Sequence, residues 1–246
     1  MRLTRIYQQQ PLNEGSEINL SQEAVHHLTR VLRLTVGSEF VVFNGEGGEF
    51  KAKIIAMQKK IVTARVGAFN PMNPESPLQI ILGQAIIRSE KMDYTLQKAV
   101  ELGITHFMPL ITERSWKLPY DRLEKRLSHW QAVIVNACEQ SGRTQIPSLE
   151  EPILFQDAIN KIQATIRAIL IPNLTQTQLP IIKTCHRVAI LVGPEGGWSK
   201  IETILALDAG YIPVQLGPRI LRAETAGLVA TTVFQGLFGD ISLNLV

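Results

Sequence analysis

The stretch LGPRILRAETA, residues 216–226, connects a strand pattern to a helical pattern in the C-terminal part of this chain. It follows the apolar run YIPVQ, and its Gly, Pro and two Arg residues lead into a helical pattern. A second turn, GPEGGWSK at 193–200, follows the apolar run RVAILV. Glycines in such turns let backbone N–H and C=O groups approach a ligand closely. The pair of turns therefore predicts a backbone-lined binding site, although either turn alone is more typical of an ordinary strand-to-helix connection.

Strand patterns alternate with helical patterns on both sides of these turns. Ser199 and Glu202 form a capping-box pattern that predicts a helix start directly after GPEGGW. Glycines at 103, 142 and 210 predict helix ends. Alternating elements predict an α/β fold whose parallel sheet is covered on both faces, and ligands of such sheets lie at the carboxyl ends of strands. The predicted strands are LQIILGQAII, THFMPLI, RAILI, RVAILV and YIPVQL.

The first 70 residues have a different pattern. The short β-branched runs EFVVF, EFKAKIIAM and IVTARVGAF predict strands, and NGEGG predicts a hairpin between the first two. One helix is predicted over roughly Gln22–Arg33. The stretch FNPMNPESP, with its three prolines, is typical of a linker. We therefore predict a small β-barrel or curled sheet at 1–70, a linker at 71–77 and an α/β domain at 78–246.

Composition limits the class of protein. The chain has 246 residues, 45% of them hydrophobic and 19% charged, which is typical of a globular protein. Its apolar runs are short for a membrane span, and its N-terminus lacks the apolar segment of a signal peptide. The two cysteines, Cys138 and Cys185, form neither a disulfide framework nor a metal-binding spacing. We expect a cytoplasmic protein without a membrane or metal partner; the net charge of +3 permits an anionic partner.

Neither glycine turn is typical of a phosphate site. In GPEGGWSK no glycine precedes Lys200 as it would in a P-loop, and GEGGEF lacks the third glycine and the following helix of a dinucleotide turn. Glu195 is also an unfavourable neighbour for a phosphate. These features favour a neutral or zwitterionic ligand with an adenine-like face.

Taken together, LVGPEGGWSKIE and LGPRILRAETA resemble the SPOUT class of RNA methyltransferases, and more narrowly its RsmE-type family, which methylates N3 of a uridine in 16S rRNA. Further matching stretches are HHLTRVLRL (26–34), QKAVELGITHFMPLITERS (97–115) and NACEQSGRTQIP (136–147), in the family's order. The resemblance covers nearly the whole chain. It departs from the family at Trp198 and in the short tail after Phe238.

The resemblance implies a fold and a cofactor that the pattern alone does not give. The family's C-terminal domain contains a trefoil knot, its N-terminal domain is PUA-like and helps to grip RNA, and the enzyme acts as a homodimer on the assembled small ribosomal subunit. S-adenosylmethionine binds in the knot through three loops, which correspond to Leu170–Asn173, Val192–Gly197 and Leu216–Arg222. The expected cofactor-binding residues are Ile171, Pro172, Leu191, Gly193, Glu195, Gly196, Gly197, Leu216, Gly217, Ile220, Leu221 and Arg222.

The chemistry points to two candidate catalytic residues. Uridine N3 keeps its proton at neutral pH, so methylation there needs proton removal or a stabilised enolate-like anion. Arg222 can bond a uracil carbonyl oxygen as negative charge develops, and Glu224 can accept the N3 proton. The alternative for Arg222 is an ion pair with a neighbouring acid. The alternative for Glu224 is a first-turn carboxylate favoured by the helix dipole.

The candidate RNA contacts are basic and polar side chains in the shared stretches. An i, i+3 spacing predicts a phosphate-binding strip on the first helix, with a merely solvated face as the alternative. Others are expected to line a groove for the extruded uridine. Arg219 is either a solvated or phosphate-binding loop residue or a catalytic one. The residues are His27, Arg30, Arg33, Arg114, Gln140, Arg143 and Arg219.

Two other functions remain open. One is a different SPOUT reaction, 2′-O-ribose methylation, which uses the same cofactor knot. The other is a non-catalytic RNA-binding assembly factor that has kept the fold. The intact LRAET and glycine turns argue against the second, and loss of cofactor binding in the purified protein would favour it.

Overall fold

The structure, a computed structural model, describes residues 3–59, 61–172 and 183–242. The chain divides into two compact units. The N-terminal unit comprises Met1–Glu75 with Cys138–Ile146, and the C-terminal unit comprises Ser76–Ala137 with Pro147–Val246. The sequence-based division at 1–70, 71–77 and 78–246 did not anticipate that the segment 138–146 groups with the N-terminal unit.

The N-terminal unit contains a five-stranded mixed sheet of order β1-β3-β4-β5-β2. The β1–β3 pair is parallel and the other pairs are antiparallel, with β4 following β3 as the predicted hairpin. All three predicted strands are confirmed. The strands are β1 (Arg5–Tyr7), β2 (Glu17–Asn19), β3 (Glu39–Phe43), β4 (Glu49–Gln58) and β5 (Ile61–Asn70).

This sheet curls around one apolar core. Two register shifts between β4 and β5 bend the long hairpin. The buried side chain of Gln8, after β1, accepts a hydrogen bond from the Ser21 backbone N–H, after β2, at 2.9 Å, and so connects the two edges. Inside lie side chains such as Leu28, Phe40 and Ile54. The predicted curled sheet is therefore confirmed.

The helix predicted over Gln22–Arg33 is shorter and less regular. Helix α1 (Gln22–His26) is capped by the Ser21 hydroxyl and continues as a wider, π-helical turn over His27–Val31. Arg33 lies beyond it, with a φ of 55° that belongs to the left-handed region. Because a π-helical turn holds more residues than an α-helical one, the i, i+3 spacing does not align His27, Arg30 and Arg33 on one helix face. The prediction of such a strip is wrong in this respect.

The C-terminal unit alternates strands and helices as predicted. Its strands are β6 (Gln79–Ala85), β7 (His106–Ile111), β8 (Ser148–Leu149), β9 (Ile153–Leu154), β10 (Ile166–Leu170), β11 (Arg187–Val192) and β12 (Ile212–Val214). Its helices are α2 (Ser89–Glu101), α3 (Leu123–Ser141), α4 (Phe155–Lys161), α5 (Lys200–Asp208) and α6 (Ala223–Phe238). The last turn of α3 belongs to the segment that groups with the N-terminal unit.

The C-terminal sheet is parallel throughout, in the order β12-β10-β11-β6-β7-β8, with β9 also pairing with β7. Strands β6 and β11 are buried along almost their whole length, as expected for a sheet covered on both faces. One face packs against α4 and α5 through residues such as Phe155 and Ala206. On the other face, Gly227 of α6 brings its backbone close to Leu82 and Val192.

The predicted helix ends are confirmed by their local geometry. Ser199 and Glu202 form both hydrogen bonds of a capping box before α5. Gly103, Gly142 and Gly210, which follow α2, α3 and α5, all have positive φ values, which glycine adopts without steric cost. The predicted trefoil knot stays a prediction. Within the described residues, no helix is long and apolar enough to cross a membrane.

A buried ion pair anchors the segment after α3 within the N-terminal unit. The Arg143 guanidinium donates to Glu75 Oε2 at 2.9 and 2.6 Å, and both side chains are almost fully buried. The other oxygen of Glu75 accepts from the backbone N–H groups of Thr144 and Gln145. Arg5, which pairs with Glu49, donates to the Arg143 carbonyl. Glu75 therefore compensates a buried charge and caps two backbone donors.

We expect Glu75→Gln to lower the free energy of unfolding by about 3 kcal/mol, because it removes the carboxylate charge that compensates the buried Arg143 guanidinium. Urea denaturation measures this change. The matched control is Glu150→Gln, which breaks the exposed pair with Lys161 (3.0 Å) and should cost less than about 1 kcal/mol. Equal midpoints for the two variants would contradict the structural role of Glu75.

Candidate functional site

A cavity of about 360 Å³ lies at the carboxyl ends of three neighbouring strands of the C-terminal sheet. The residues after β10, β11 and β12 surround it, together with the first turn of α6. These strand ends meet because β10 lies between β11 and β12 in the sheet. Its walls are mainly aliphatic side chains and glycine- or proline-containing backbone, including Leu170, Val192, Val214 and Ala226.

Most of the residues predicted to bind the cofactor line this cavity. Those that do are Ile171, Pro172, Gly193, Glu195, Gly197, Leu216, Ile220, Leu221 and Arg222. Leu191, Gly196 and Gly217 are not among its described lining residues. Leu191 is fully buried in the sheet, and the Gly196 carbonyl accepts from Arg114 at 2.9 Å. Asn173, the end of the first predicted loop, lies outside the described residues.

Trp198 shapes the turn after β11, a role that sequence reasoning missed. Its indole Nε1–H donates to the Leu170 carbonyl at 2.9 Å, which connects the ends of β10 and β11. A Cβ at Gly193 would lie 3.2 Å from the indole ring, so glycine is needed there for close packing. The ring also packs against Phe155, with 5.0 Å between centroids. An aromatic residue directly after a GPEGG turn was the available signal.

The loop after β7 is bonded to the same turn. The Glu113 backbone N–H donates to Glu202 Oε1 at 2.8 Å, and Glu202 is also part of the capping box. Arg114 donates to the Gly196 carbonyl. The side chain of Arg114, predicted to bind RNA, therefore positions the turn that borders the cavity.

Lys91 supplies the positive charge between two acids at the cavity. Its ammonium lies 3.2 Å from Glu224 Oε1 and 3.6 Å from Glu195 Oε1. Sequence reasoning missed Lys91. No local sequence signal marked it, because Lys91, in the first turn of α2, reaches the site only through the pairing of β6 with β11.

Glu224 is ionised under ordinary conditions. Burial raises its pKa, but a hydrogen bond from its own backbone N–H and the neighbouring Lys91 and Arg222 cations outweigh that effect. The pKa of Glu224 therefore lies below its ordinary value. Arg222, the residue immediately before α6, is exposed and lines the cavity. The ionised Glu224 carboxylate is therefore a negatively charged neighbour of the exposed Arg222 guanidinium.

The remaining residues predicted to bind RNA differ in their exposure to solvent. Arg219 is exposed and lines the cavity. In the N-terminal unit, His27, Arg30 and Arg33 are exposed, as is Gln140. Arg143 is buried in the ion pair with Glu75, so its guanidinium is committed to structure and we do not assign it to RNA. No group of three His, Cys, Asp or Glu side chains suited to a metal ion occurs in the described ranges.

Two family models match the chain. A model described as an RNA methyltransferase domain matches residues 74–235, and one described as an RNA methyltransferase PUA domain matches residues 20–67. Among curated proteins, ribosomal RNA small subunit methyltransferase E of Buchnera aphidicola (from Acyrthosiphon pisum) is 34% identical over 97% of this chain and 95% of its own length. The protein of the same name from Bacillus subtilis is 27% identical over 90% of both chains.

Solved structures agree with these matches. The ribosomal RNA small subunit methyltransferase E of Neisseria gonorrhoeae, bound to S-adenosylmethionine, is 36% identical and superposes with a TM-score of 0.90 over 98% of this chain and 100% of that one. A proposed methyltransferase of Legionella pneumophila, also in complex with S-adenosylmethionine, is 39% identical, with a TM-score of 0.94 over the same shares.

Proposed function

The chain belongs to the ribosomal RNA small subunit methyltransferase E family of RNA methyltransferases, and from that premise we propose that it methylates N3 of one uridine in 16S rRNA. The methyl donor is S-adenosylmethionine, which its relatives of known structure bind. The observation that carries the proposal is that both glycine motifs meet at one cavity with Arg222 and Glu224 beside it.

The cavity suits this cofactor. Its aliphatic walls can accommodate an adenine ring, and Gly193, Gly197 and Leu216 are among its lining residues. Glu195 is the one carboxylate among the described lining residues, and the Lys91 ammonium lies 3.6 Å from it. When bound, S-adenosylmethionine supplies an electrophilic methyl group. The protein's own contribution to such a transfer is mainly to orient the reacting groups.

Arg222 is proposed to stabilise the developing uracil anion. As the N3 proton leaves, negative charge spreads onto the carbonyl oxygens of the base. A guanidinium at the cavity wall can donate to one of them, and this bond strengthens as the charge grows. The lowered pKa of Glu224 makes that carboxylate a weak base, so we assign it to positioning Lys91 and Arg222. Proton removal by Glu224 is the competing assignment.

The proposed substrate is the assembled small ribosomal subunit in the cytoplasm, and the proposed active form is a homodimer. On α5, the aliphatic side chains of Ile201 and Ile204 are more than half exposed in the single chain. Such side chains are typical of surfaces that a second copy covers. Sedimentation of the purified protein tests the dimer, and a monomer at micromolar concentration would contradict it.

The N-terminal unit is proposed to contribute RNA affinity. We expect Arg30→Ala combined with Arg33→Ala to weaken binding to small subunits and to lower the salt dependence by about one unit of slope for each lost phosphate contact. Affinity for S-adenosylmethionine should stay unchanged. Arg65→Ala is the matched control, because Arg65 is exposed on the same unit but paired with Glu17 at 2.7 Å. A double variant with the wild-type slope would remove these arginines from the RNA surface.

The proposal is tested by mass spectrometry of 16S rRNA from cells with and without this gene. We expect one N3-methyluridine to disappear when the gene is deleted and to return with a plasmid copy. Loss of a 2′-O-methyl nucleotide would instead indicate the ribose reaction. Unchanged rRNA, together with a purified protein that does not bind S-adenosylmethionine, would indicate an assembly factor.

A further inference from the structure

Trp116, in the loop after β7, has an unusually accessible indole. It is 53% exposed, whereas Trp130 is buried and Trp198 is partly buried in the cavity wall. The guanidinium of Arg88 lies over the Trp116 ring, 5.8 Å from its centroid. Large aromatic side chains are usually buried, so an exposed Arg–Trp stack indicates a surface that binds another molecule. We call this pair the stacking platform.

The stacking platform lies at the same edge of the sheet as the cofactor cavity. Arg88 follows β6 and Trp116 follows β7, and the Trp116 backbone N–H donates to the Ile86 carbonyl at 2.8 Å. Both platform residues are close in sequence to residues that contact the cavity or the turn beside it. Arg88 is three residues before Lys91, and Trp116 is two residues after Arg114, whose side chain bonds to Gly196. The platform is therefore held by the same loops that border the cavity.

A basic groove adjoins the platform on α2 and α3. It is lined by Ser89, Asp93, Arg122, Lys125, Arg126 and His129. Arg126 donates a hydrogen bond to Ser89, the residue after Arg88, and so connects the groove to the platform. Asp93 is the one carboxylate among the described lining residues, and it pairs with His129 at 2.8 Å. Glu90, Asp121 and Glu124 lie on the same stretch of chain but outside that lining.

We propose that this surface binds one strand of RNA beside the cofactor cavity. A base next to the target uridine stacks on the Arg88–Trp116 platform, and the neighbouring phosphates lie against Arg122, Lys125 and Arg126. Aromatic and guanidinium planes hold unstacked RNA bases, and exposed Arg and Lys side chains neutralise phosphates. A strand held in this way keeps its flanking nucleotides fixed while the target base is extruded. The inference rests on the proposed function and specifies where its substrate lies.

The two parts of the surface have different experimental signatures. Trp116→Ala should weaken binding of unmethylated small subunits on the order of tenfold without changing the salt dependence, and Trp116→Phe should restore most of the affinity. Arg122→Ala with Lys125→Ala should lower the slope of log affinity against log salt, measured between about 50 and 200 mM, by about one unit for each lost phosphate contact. Lys98→Ala with Lys161→Ala removes the same charge from paired surface lysines and should leave the slope unchanged.

Calorimetry with S-adenosylmethionine separates failure of this inference from failure of the proposed function. Unaltered cofactor affinity in every variant shows that each one is folded. Wild-type affinity and slope for both the tryptophan and the basic variants would overturn the RNA surface and leave the methyltransferase assignment intact. Conversely, if the wild-type enzyme binds subunits through these residues yet transfers no methyl group to N3, the proposed function fails while the surface stands.

Discussion

Replacing Arg222 with alanine is expected to lower the single-turnover rate of rRNA methylation by roughly 100- to 1,000-fold, the usual effect of removing one donor to a developing oxyanion. Arg222 is exposed, lines the cavity and lies next to the ionised Glu224. The proposed bond from Arg222 to the uracil oxygen would strengthen only as charge develops, so we expect the loss in the rate, with cofactor affinity nearly unchanged. Arg222→Lys should restore activity only in part, since an ammonium lacks the planar pair of donors.

Arg219→Ala is the matched control for this variant, because Arg219 is a second exposed guanidinium that lines the same cavity. Its replacement should affect subunit binding more than the chemical step. An Arg222→Ala enzyme with a near-normal single-turnover rate would contradict the mechanism. It would favour the alternative in which Arg222 serves only as an ion-pair partner for Glu224.

The same experiment with Glu224→Gln separates the two roles of the carboxylate. If Glu224 positions Lys91 and Arg222, activity should stay within a few-fold of wild type. If Glu224 Oε2, which is buried and has no hydrogen-bond partner in the described structure, takes the N3 proton, the variant should fail and recover as pH rises. Since the folded pKa of Glu224 is lowered, its charge stabilises the fold above the unfolded pKa, and this contribution disappears as pH falls through the folded value.

Gly197→Val and Gly217→Val are each expected to weaken S-adenosylmethionine binding by about tenfold or more. Gly197 and Gly217 have φ values of 67° and 72°, which valine adopts only at a steric cost of about 1–2 kcal/mol. Valine therefore forces the turns after β11 and β12 into other conformations. Calorimetry on the folded variants measures the affinity.

Gly37→Val provides the control for backbone strain alone. Gly37 has a φ of 95° and no atom within 4 Å of an added Cβ, and it lies in the N-terminal unit. This variant should be less stable and should bind the cofactor normally. Wild-type cofactor affinity in both cavity variants would contradict the assignment of the glycine turns.

Sequence reasoning predicted those parts of the fold that depend on local rules. The capping box at Ser199 and Glu202 and the glycine helix ends follow from local backbone chemistry, so each could be read in a short window. Because parallel strands end at one edge, the alternation of elements also predicted where the cavity lies. Nine of the predicted cofactor residues line that cavity, although their roles in binding remain predictions.

The errors and omissions concern features that simple sequence patterns do not encode, namely contacts between residues distant in sequence and one irregular helical turn. Lys91 reaches the site only because β6 and β11 are neighbours in the sheet, which no local pattern indicates. Arg143 was predicted to line the groove for the extruded uridine because it follows a helix end in a stretch shared with the family. In the structure its guanidinium pairs with Glu75, 68 residues away. Arg33 was placed on a helix face because helical periodicity does not reveal the π-helical turn that ends at Val31.

The central claim is that this chain transfers a methyl group from S-adenosylmethionine to N3 of a single uridine in 16S rRNA. The most direct test is to incubate purified enzyme with small subunits from cells lacking the gene and with isotopically labelled S-adenosylmethionine, and then to analyse the digested rRNA by mass spectrometry. We expect one labelled N3-methyluridine per subunit, and none with Arg222→Ala in the same time. Label on a ribose 2′-oxygen, or no label from an enzyme that binds the cofactor, would contradict it.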